Sequence, residues 1–266
     1  MSKDRRLFLC NIVYHLNSSD LLHLVVRKSK LHASKKRFLI RVTLAILLTA
    51  LVYRYWSNNN RENVELTLPE LPEGFSSYGI DISHHQGEIN WETLFTTSDS
   101  LIAFVYCKAT EGLNHTDSQW YYNRKTLLLK GVPNGAYHFF HPKKDPKKQA
   151  QHFLDHYNSR QGDLPPVLDA EIEGTSDAQL IESMTIWLEA VEKRTGMRPI
   201  IYTSHHFFKT KFAGNFARYK FWIANYNKNV SGLEDDQIIH WQYSDRGAVP
   251  GIAGNVDMNF SKIEFD

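Results

Sequence analysis

The sequence predicts an α/β fold for residues 78–266, a closed eight-stranded barrel that lacks its last helices. Three observations predict it. Short apolar runs alternate with helical patterns, which argues a parallel sheet wrapped by helices. Five strand–helix units come first, and three strands with little room for helices follow. Eight strands in about 190 residues suit a barrel, with an open doubly wound sheet as the alternative.

The strands are expected at "YGIDIS" (78–83), "LIAFVYCKA" (101–109), "GAYHFF" (135–140), "PVLDAE" (166–171), "PIIYTS" (199–204), "FWIANY" (221–226), "IIHWQYS" (238–244) and "NVDMNF" (255–260). Helical patterns fall near 91–97, 117–130, 146–160, 177–195 and 205–217. The third opens on Asp145-Pro146, an N-cap followed by proline at the first helical position. The fourth is the clearest. Ser176 and Gln179 form a capping box, Leu180, Met184, Trp187, Leu188 and Val191 make one apolar face, and Gly196 suits the stop.

What precedes the barrel differs in kind. Residues 1–41 carry ten Lys and Arg against two Asp, a net +8, whereas residues 42–266 carry 21 against 27 Asp and Glu, a net −6. The basic end is therefore a separate feature, and it gives the folded part no nucleic-acid signature. A basic region at 1–37 leads into an apolar segment at 38–56, whose core "VTLAILLTALVY" is uncharged. With Arg41 and Arg54 snorkelling, that segment reads as a transmembrane or signal-anchor helix. The basic flank then stays cytoplasmic and the C-terminal part lies outside the cytoplasm, with secretion after signal cleavage as the alternative. Residues 57–77 are polar and hold two prolines, as a linker does. Cys10 and Cys107 give no disulfide or metal framework.

Chemistry concentrates in "LPPVLDAEIEG", residues 164–174. In a strand, residues i and i+2 share a face, so Asp169 and Glu171 point the same way. In a barrel that way is inward, near the C-terminal rim where such folds keep their sites. Asp81 ends the first strand, Asp257 lies in the last with Asn259 on its face, and Glu111 follows the second in "KATEG". First and last strands of a barrel are neighbours, so Asp81 and Asp257 can meet. Each such acid alone is more often a structural hydrogen bonder. Together they raise one another's pKa, so that one holds a proton as general acid while another stays charged. Glycosidic cleavage needs that division of labour, a protonated Glu beside a neighbour that stays charged. Aromatic residues near the strand ends, including Tyr106, Tyr137, Tyr202, Trp222, Tyr226, Trp241 and Tyr243, can pack on sugar faces or fill the core. Gln242 joins Tyr137, Tyr202, Trp222 and Tyr226 as an expected substrate-binding residue. The thirteen histidines come with no H-E-x-x-H or C-x-x-C pattern, so no metal is expected, and no phosphate-binding loop implies a cofactor.

The segments "YGIDISHHQGEINW", "FVYCKATEG", "GAYHFFHP", "DPKKQAQHFL", "PPVLDAEIEG", "IIYTS", "FWIANY", "HWQYSDRG" and "NVDMNF", in this order, resemble the glycoside hydrolase family 25 lysozymes, the Chalaropsis-type muramidases. The resemblance implies a modified TIM-like barrel of five β/α units followed by three strands. It implies cleavage of the β-1,4 bond between N-acetylmuramic acid and N-acetylglucosamine in peptidoglycan; the chain is expected to be a monomer. The resemblance assigns the general acid to Glu171, the other D-x-E carboxylate to Asp169, the flanking site aspartates to Asp81 and Asp257, and site tyrosines to Tyr137 and Tyr202. By analogy with D-x-E hexosaminidases, a charged Asp169 orients the substrate's acetamido group as nucleophile, with direct attack by Asp169 as the alternative; configuration is retained either way. The alternatives are a glycosidase for another N-acetylhexosamine polymer and a non-catalytic glycan-binding protein. The net −6 offers no overall attraction to an acidic wall polymer.

Overall fold

The computed structural model describes residues 36, 38–53, 66–98, 101–227, 232–233 and 235–265. They fall into two units, one within residues 1–62 and one within 63–266. In the first, residues 38–53 form one helix whose apolar side chains, Phe38 to Tyr53, are exposed. The Thr43 and Thr49 hydroxyls donate back to the Leu39 and Ala45 carbonyls at 2.9 and 3.0 Å, so the helix hides its own polar groups. The described part is about 24 Å long, against about 30 Å of bilayer hydrocarbon. Among the described residues no helix is long and apolar enough to cross a membrane. Residues 54–56 of the expected span and the linker residues 57–65 lie outside the described residues, as does the basic region except for Lys36.

The second unit is the barrel. Its strands are β1 (Ser77–Ile82), β2 (Ile102–Glu111), β3 (His115–Thr116), β4 (Asn134–Phe139), β5 (Val167–Asp169), β6 (Ile200–Ser204), β7 (Lys220–Ala224), β8 (Ile238–Gly247) and β9 (Val256–Ser261). Eight of them close a ring in the order β1-β9-β8-β7-β6-β5-β4-β2, with β1 and β2 paired to complete it. The short β3 hangs on the end of β2, where Gly112, at φ 54°, turns the chain back. The helices are α1 (Trp91–Ser98), α2 (Trp120–Lys130), α3 (Pro146–His156) and α4 (Asp177–Thr195).

Two cores result. Side chains on the outer faces of the strands meet the helices, with Leu168, Phe153, Met184, Trp187 and Ile201 among them. Inside the ring, Phe104, Tyr106, Val167, Ile200, Tyr202 and Trp222 fill the lumen. The lumen is filled by pairing large residues with none. A Cβ on Gly79 would collide with the Phe104 ring, and one on Gly135 with the Tyr106 ring. Both glycines therefore make room for an aromatic residue on β2.

The sequence reading places all eight barrel strands within a few residues. It is corrected in three places. The sheet is not parallel throughout: β9 runs antiparallel to both β1 and β8. The strand expected over 166–171 stops at Asp169: Ala170 N–H makes the last ladder bond, to the Tyr202 carbonyl at 2.9 Å, and the Ala170 carbonyl accepts from the Thr203 side chain, Oγ1 at 2.7 Å. The helix expected over 205–217 is one turn, His205–Phe207, running into a π-helical segment, Phe208–Phe212. The extra residue per turn rotates the register, and Phe207, Phe208 and Phe212 all become buried. The caps are as the sequence predicts: Ser176 Oγ accepts from Gln179 N–H at 3.3 Å, Gly196 ends α4 at φ 74°, and Asp145 caps α3.

Candidate active site

A cleft of about 300 Å³ opens at the C-terminal rim of the barrel. Asp81, Asp169, Glu171 and Asp257 line it together with Tyr137, Tyr202, Trp222 and Gln242. The four acids come from three places in the chain. β1 and β9 place Asp81 directly opposite Asp257. β5 ends on Asp169, whose carbonyl accepts from Phe140 N–H at 2.9 Å, and Glu171 stands two residues further on, in the loop.

Asp81 is the best-supported acid, at 6% exposure. Its Oδ2 accepts from Gln242 Nε2 at 3.0 Å and from Asn259 Nδ2 at 2.8 Å. Those donors are themselves held. The Tyr202 and Tyr226 hydroxyls donate to Gln242 Oε1 at 2.8 and 2.7 Å, and Trp222 Nε1 donates to Asn259 Oδ1 at 2.9 Å. Four expected substrate-binding residues are thus also the scaffold of one carboxylate. Trp222 in particular is 1% exposed, a wall of the cleft and not an open platform for a sugar. Tyr226, 52% exposed, and the partly exposed Tyr137 keep surface available for a ligand.

Burial raises all four acids; for Asp81 the hydrogen bonds from Asn259, Gln242 and Asp257 oppose the rise. Asp169, 7% exposed, is raised well above the usual range by burial and then by the nearby Glu171 charge. Its Oδ1 is buried without a hydrogen-bond partner. Solvent reaches Glu171, yet the cleft walls surround enough of it that burial raises its carboxyl too, helped by the charge of Asp81. Burial and Asp81 push Asp257 up to about 8, and the two carboxyls share a hydrogen bond with Asp257 as the proton's owner. The expected contrast between a protonated Glu171 and a charged Asp169 does not hold in the protein alone. Both resist ionisation, Asp169 most strongly, because it is the more deeply buried.

Asp257 gives a measurable consequence. Its carboxyl ionises near 3.9 in the unfolded chain but at about 8 in the folded one. The native state therefore loses stability across that window as pH rises, and keeps it below. Asp257→Asn, which retains a donor toward Asp81, is expected to melt with the wild type near pH 4 and several degrees above it at pH 8–9. Equal melting temperatures at both pH values would contradict the raised carboxyl.

Sequence reasoning missed Lys108. It lines the cleft at 7% exposure, and its charge opposes the rise of both Asp169 and Glu171. The signal was present: Phe104, Tyr106 and Lys108 alternate along β2, so the lysine continues the lumen face toward the rim. Its Nζ donates to Glu111 Oε2 at 2.8 Å, and Glu111 Oε1 pairs with His141 Nε2 at 3.0 Å. Burial alone would raise Glu111, but Lys108 and His141 outweigh it and hold the carboxyl at about 2. Glu111 is thus a permanent anion that fixes Lys108, and it does not line the cleft. Ser83, Gln86 and Phe139 line it too, without a sequence signal, and so does His85.

Other aromatic residues and histidines serve the core. Tyr106 donates to the Pro165 carbonyl at 3.1 Å, Trp241 Nε1 to the Asn225 carbonyl at 2.7 Å, and Tyr243 stacks on Phe260 at 4.0 Å. His138 and His240 are buried, and burial lowers each to about 3, so both are neutral. Among the described residues no group of three or more His, Cys, Asp or Glu is placed to hold a metal ion.

Known proteins are similar to this chain in sequence and fold. A sequence model of glycosyl hydrolases family 25 matches residues 80–252. An Escherichia coli K12 chain named only as uncharacterized protein YegX is 38% identical over 192 residues, 71% of each chain. Lysozyme M1 of Streptomyces globisporus is 32% identical over 197 residues, 68% of this chain and 66% of its own. The crystal structure of a bacterial lysozyme from Streptomyces coelicolor superposes with a TM-score of 0.62 at 30% identity, over 72% of this chain and 92% of that one.

Proposed function

The chain belongs to glycosyl hydrolases family 25, and from that membership we propose how its cleft works. It is a glycoside hydrolase of the lysozyme type, and its substrate is peptidoglycan, cut at the β-1,4 bond between N-acetylmuramic acid and N-acetylglucosamine. The observation that carries the mechanism is the pair on either side of Ala170. Asp169 keeps a buried, unpartnered oxygen, and Glu171 stands beside it with solvent access.

Glu171, kept protonated by burial, gives its proton to the glycosidic oxygen as the bond to the anomeric carbon breaks. The acetamido oxygen of the muramic acid closes onto that carbon from the opposite face. Asp169 Oδ1 accepts a hydrogen bond from the acetamido N–H, and the positive charge growing there favours the carboxylate that burial disfavours. Water then opens the ring, passes a proton back to Glu171, and leaves the configuration retained. Asp81, fixed by Gln242 and Asn259, adds a stationary negative charge across the cleft. A covalent glycosyl-enzyme trapped on Asp169 would replace acetamido attack by direct attack.

Mass spectrometry of a peptidoglycan digest tests the activity: muropeptides ending in reducing N-acetylmuramic acid are expected. Binding with no release would make the chain a glycan-binding protein, and release only from chitin-like polymers another glycosidase.

The proposal extends to the N-terminus: residues 38–56 hold the chain at a membrane with the barrel outside the cytoplasm. The uncharged run 42–53 and the basic flank before it support this. A periplasmic reporter fused after residue 60 is expected to be active, and a silent one would refute the topology.

A further inference from the structure

The loop from β4 to α3 and the first turn of α3 carry "HPKKDPKK", residues 141–148. Lys143, Lys144, Lys147 and Lys148 are exposed. None of the four is in an ion pair with an acid among the described residues. The nearby acids are engaged elsewhere. Asp145 caps α3, Glu111 holds Lys108 and His141, and Glu173 lies 3.8 Å from Lys211.

Two of the lysines are laid against the catalytic rim. A Cβ on Gly174, three residues beyond Glu171, would lie 2.7 Å from Lys143 Cε and 3.2 Å from its Nζ. A Cβ on Gly112, directly after Glu111, would lie 2.9 Å from Lys144 Nζ. Each ammonium group crosses a loop position where any side chain would displace it, and both glycines have positive φ, 139° and 54°. Lys147 and Lys148 occupy the first turn of α3, which has no acidic residue and where the helix dipole disfavours cations. Asp145 is the one acid at this helix end, so four exposed ammonium groups stand together with no ion-pair partner among the described residues. The rest of the domain is acidic, so this patch is local to the rim.

We propose that this basic rim is a subsite for the carboxylates of the peptide stem carried by the muramic acid being cleaved. The inference rests on the muramidase reading. That reading puts the muramic acid over Asp169 and Glu171, and its stem leaves the sugar at a fixed distance from the scissile bond. Lys143, against Gly174, and Lys144, against Gly112, lie beside the loops that follow Glu171 and Glu111, outside the cleft lining itself. The subsite makes the enzyme prefer peptide-bearing glycan over bare glycan, and the preference weakens as salt screens the lysines.

The test uses the full chain on two substrates: peptidoglycan freed of phosphate-containing polymers, and the same glycan stripped of stem peptides by an amidase. The readout is the ratio of kcat/KM on the two. Lys143→Gln/Lys144→Gln is expected to lower that ratio about 3- to 10-fold, as two exposed charge contacts would, while Lys143→Arg/Lys144→Arg preserves it. Matching melting curves exclude misfolding as the cause. An unchanged ratio in the Gln variant, or equal loss in the Gln and Arg variants, overturns the subsite. Failure of the wild type to release muropeptides from either substrate would instead overturn the muramidase reading.

Discussion

Glu171→Gln is expected to give a folded protein that binds peptidoglycan and does not cut it. The carboxamide matches the carboxyl in shape, so the loop after β5 keeps its form. It has no proton to give to the leaving oxygen, and none to take from water in the second step. General acid–base catalysis of this kind contributes about 10²–10⁴-fold, and a loss of kcat in that range with little change in KM is expected in reducing-end release. Asp169, Asp81 and Asp257 cannot substitute, because each is fixed to its own strand. More than a tenth of wild-type kcat remaining would remove Glu171 from the role of acid.

Asp169→Asn is expected to cost activity and add stability. The buried Oδ1 without a partner is the atom proposed to meet the substrate's acetamido N–H. An amide in its place cannot balance the positive charge on that group, and kcat is expected to fall about 10²-fold or more, the scale seen when one aligned electrostatic contact is removed. The stability effect has the opposite sign. A carboxyl raised by burial ionises in the unfolded chain near 3.9 but resists ionisation when folded. The wild type therefore loses stability as pH rises above that value, and an uncharged Asn does not. Melting curves should coincide near pH 4, with the variant higher at pH 7. A variant that is both less active and less stable at pH 7 would mean that Asp169 is a structural acid.

The strands were legible because each is a short apolar run between turn residues, and their number and spacing leave few closed arrangements. The direction of β9 was not legible, because an apolar run looks alike read either way. The D-x-E spacing brought Asp169 and Glu171 to one site, and the first-to-last adjacency brought Asp81 to Asp257. What supports them could not be read. Gln242 and Asn259 lie 161 and 178 residues from Asp81, and only the register of β8, β9 and β1 turns their amides toward it. Trp222 and Tyr202 looked like sugar platforms because composition gives a ring's presence and not its exposure. Lys108 was readable from the alternation along β2, although a lysine in an apolar strand equally suits a solvated strand end.

The pairing of β1 with β9 also sets an order of events in time. The contact joins the two ends of the barrel sequence, and long-range pairings of this kind form late because the intervening chain must first be brought together. A chain emerging from the ribosome up to β8 carries Asp81, Asp169, Glu171, Lys108 and Gln242, but neither Asp257 nor the Asn259 that holds Asp81. Its ring is open and its lumen aromatics are wet. Docking of β9 seals the lumen and completes the carboxylate network in one step. Until its last strand is made, the chain has neither the carboxyl opposite Asp81 nor the Asn259 amide that holds it, and its cleft is incomplete.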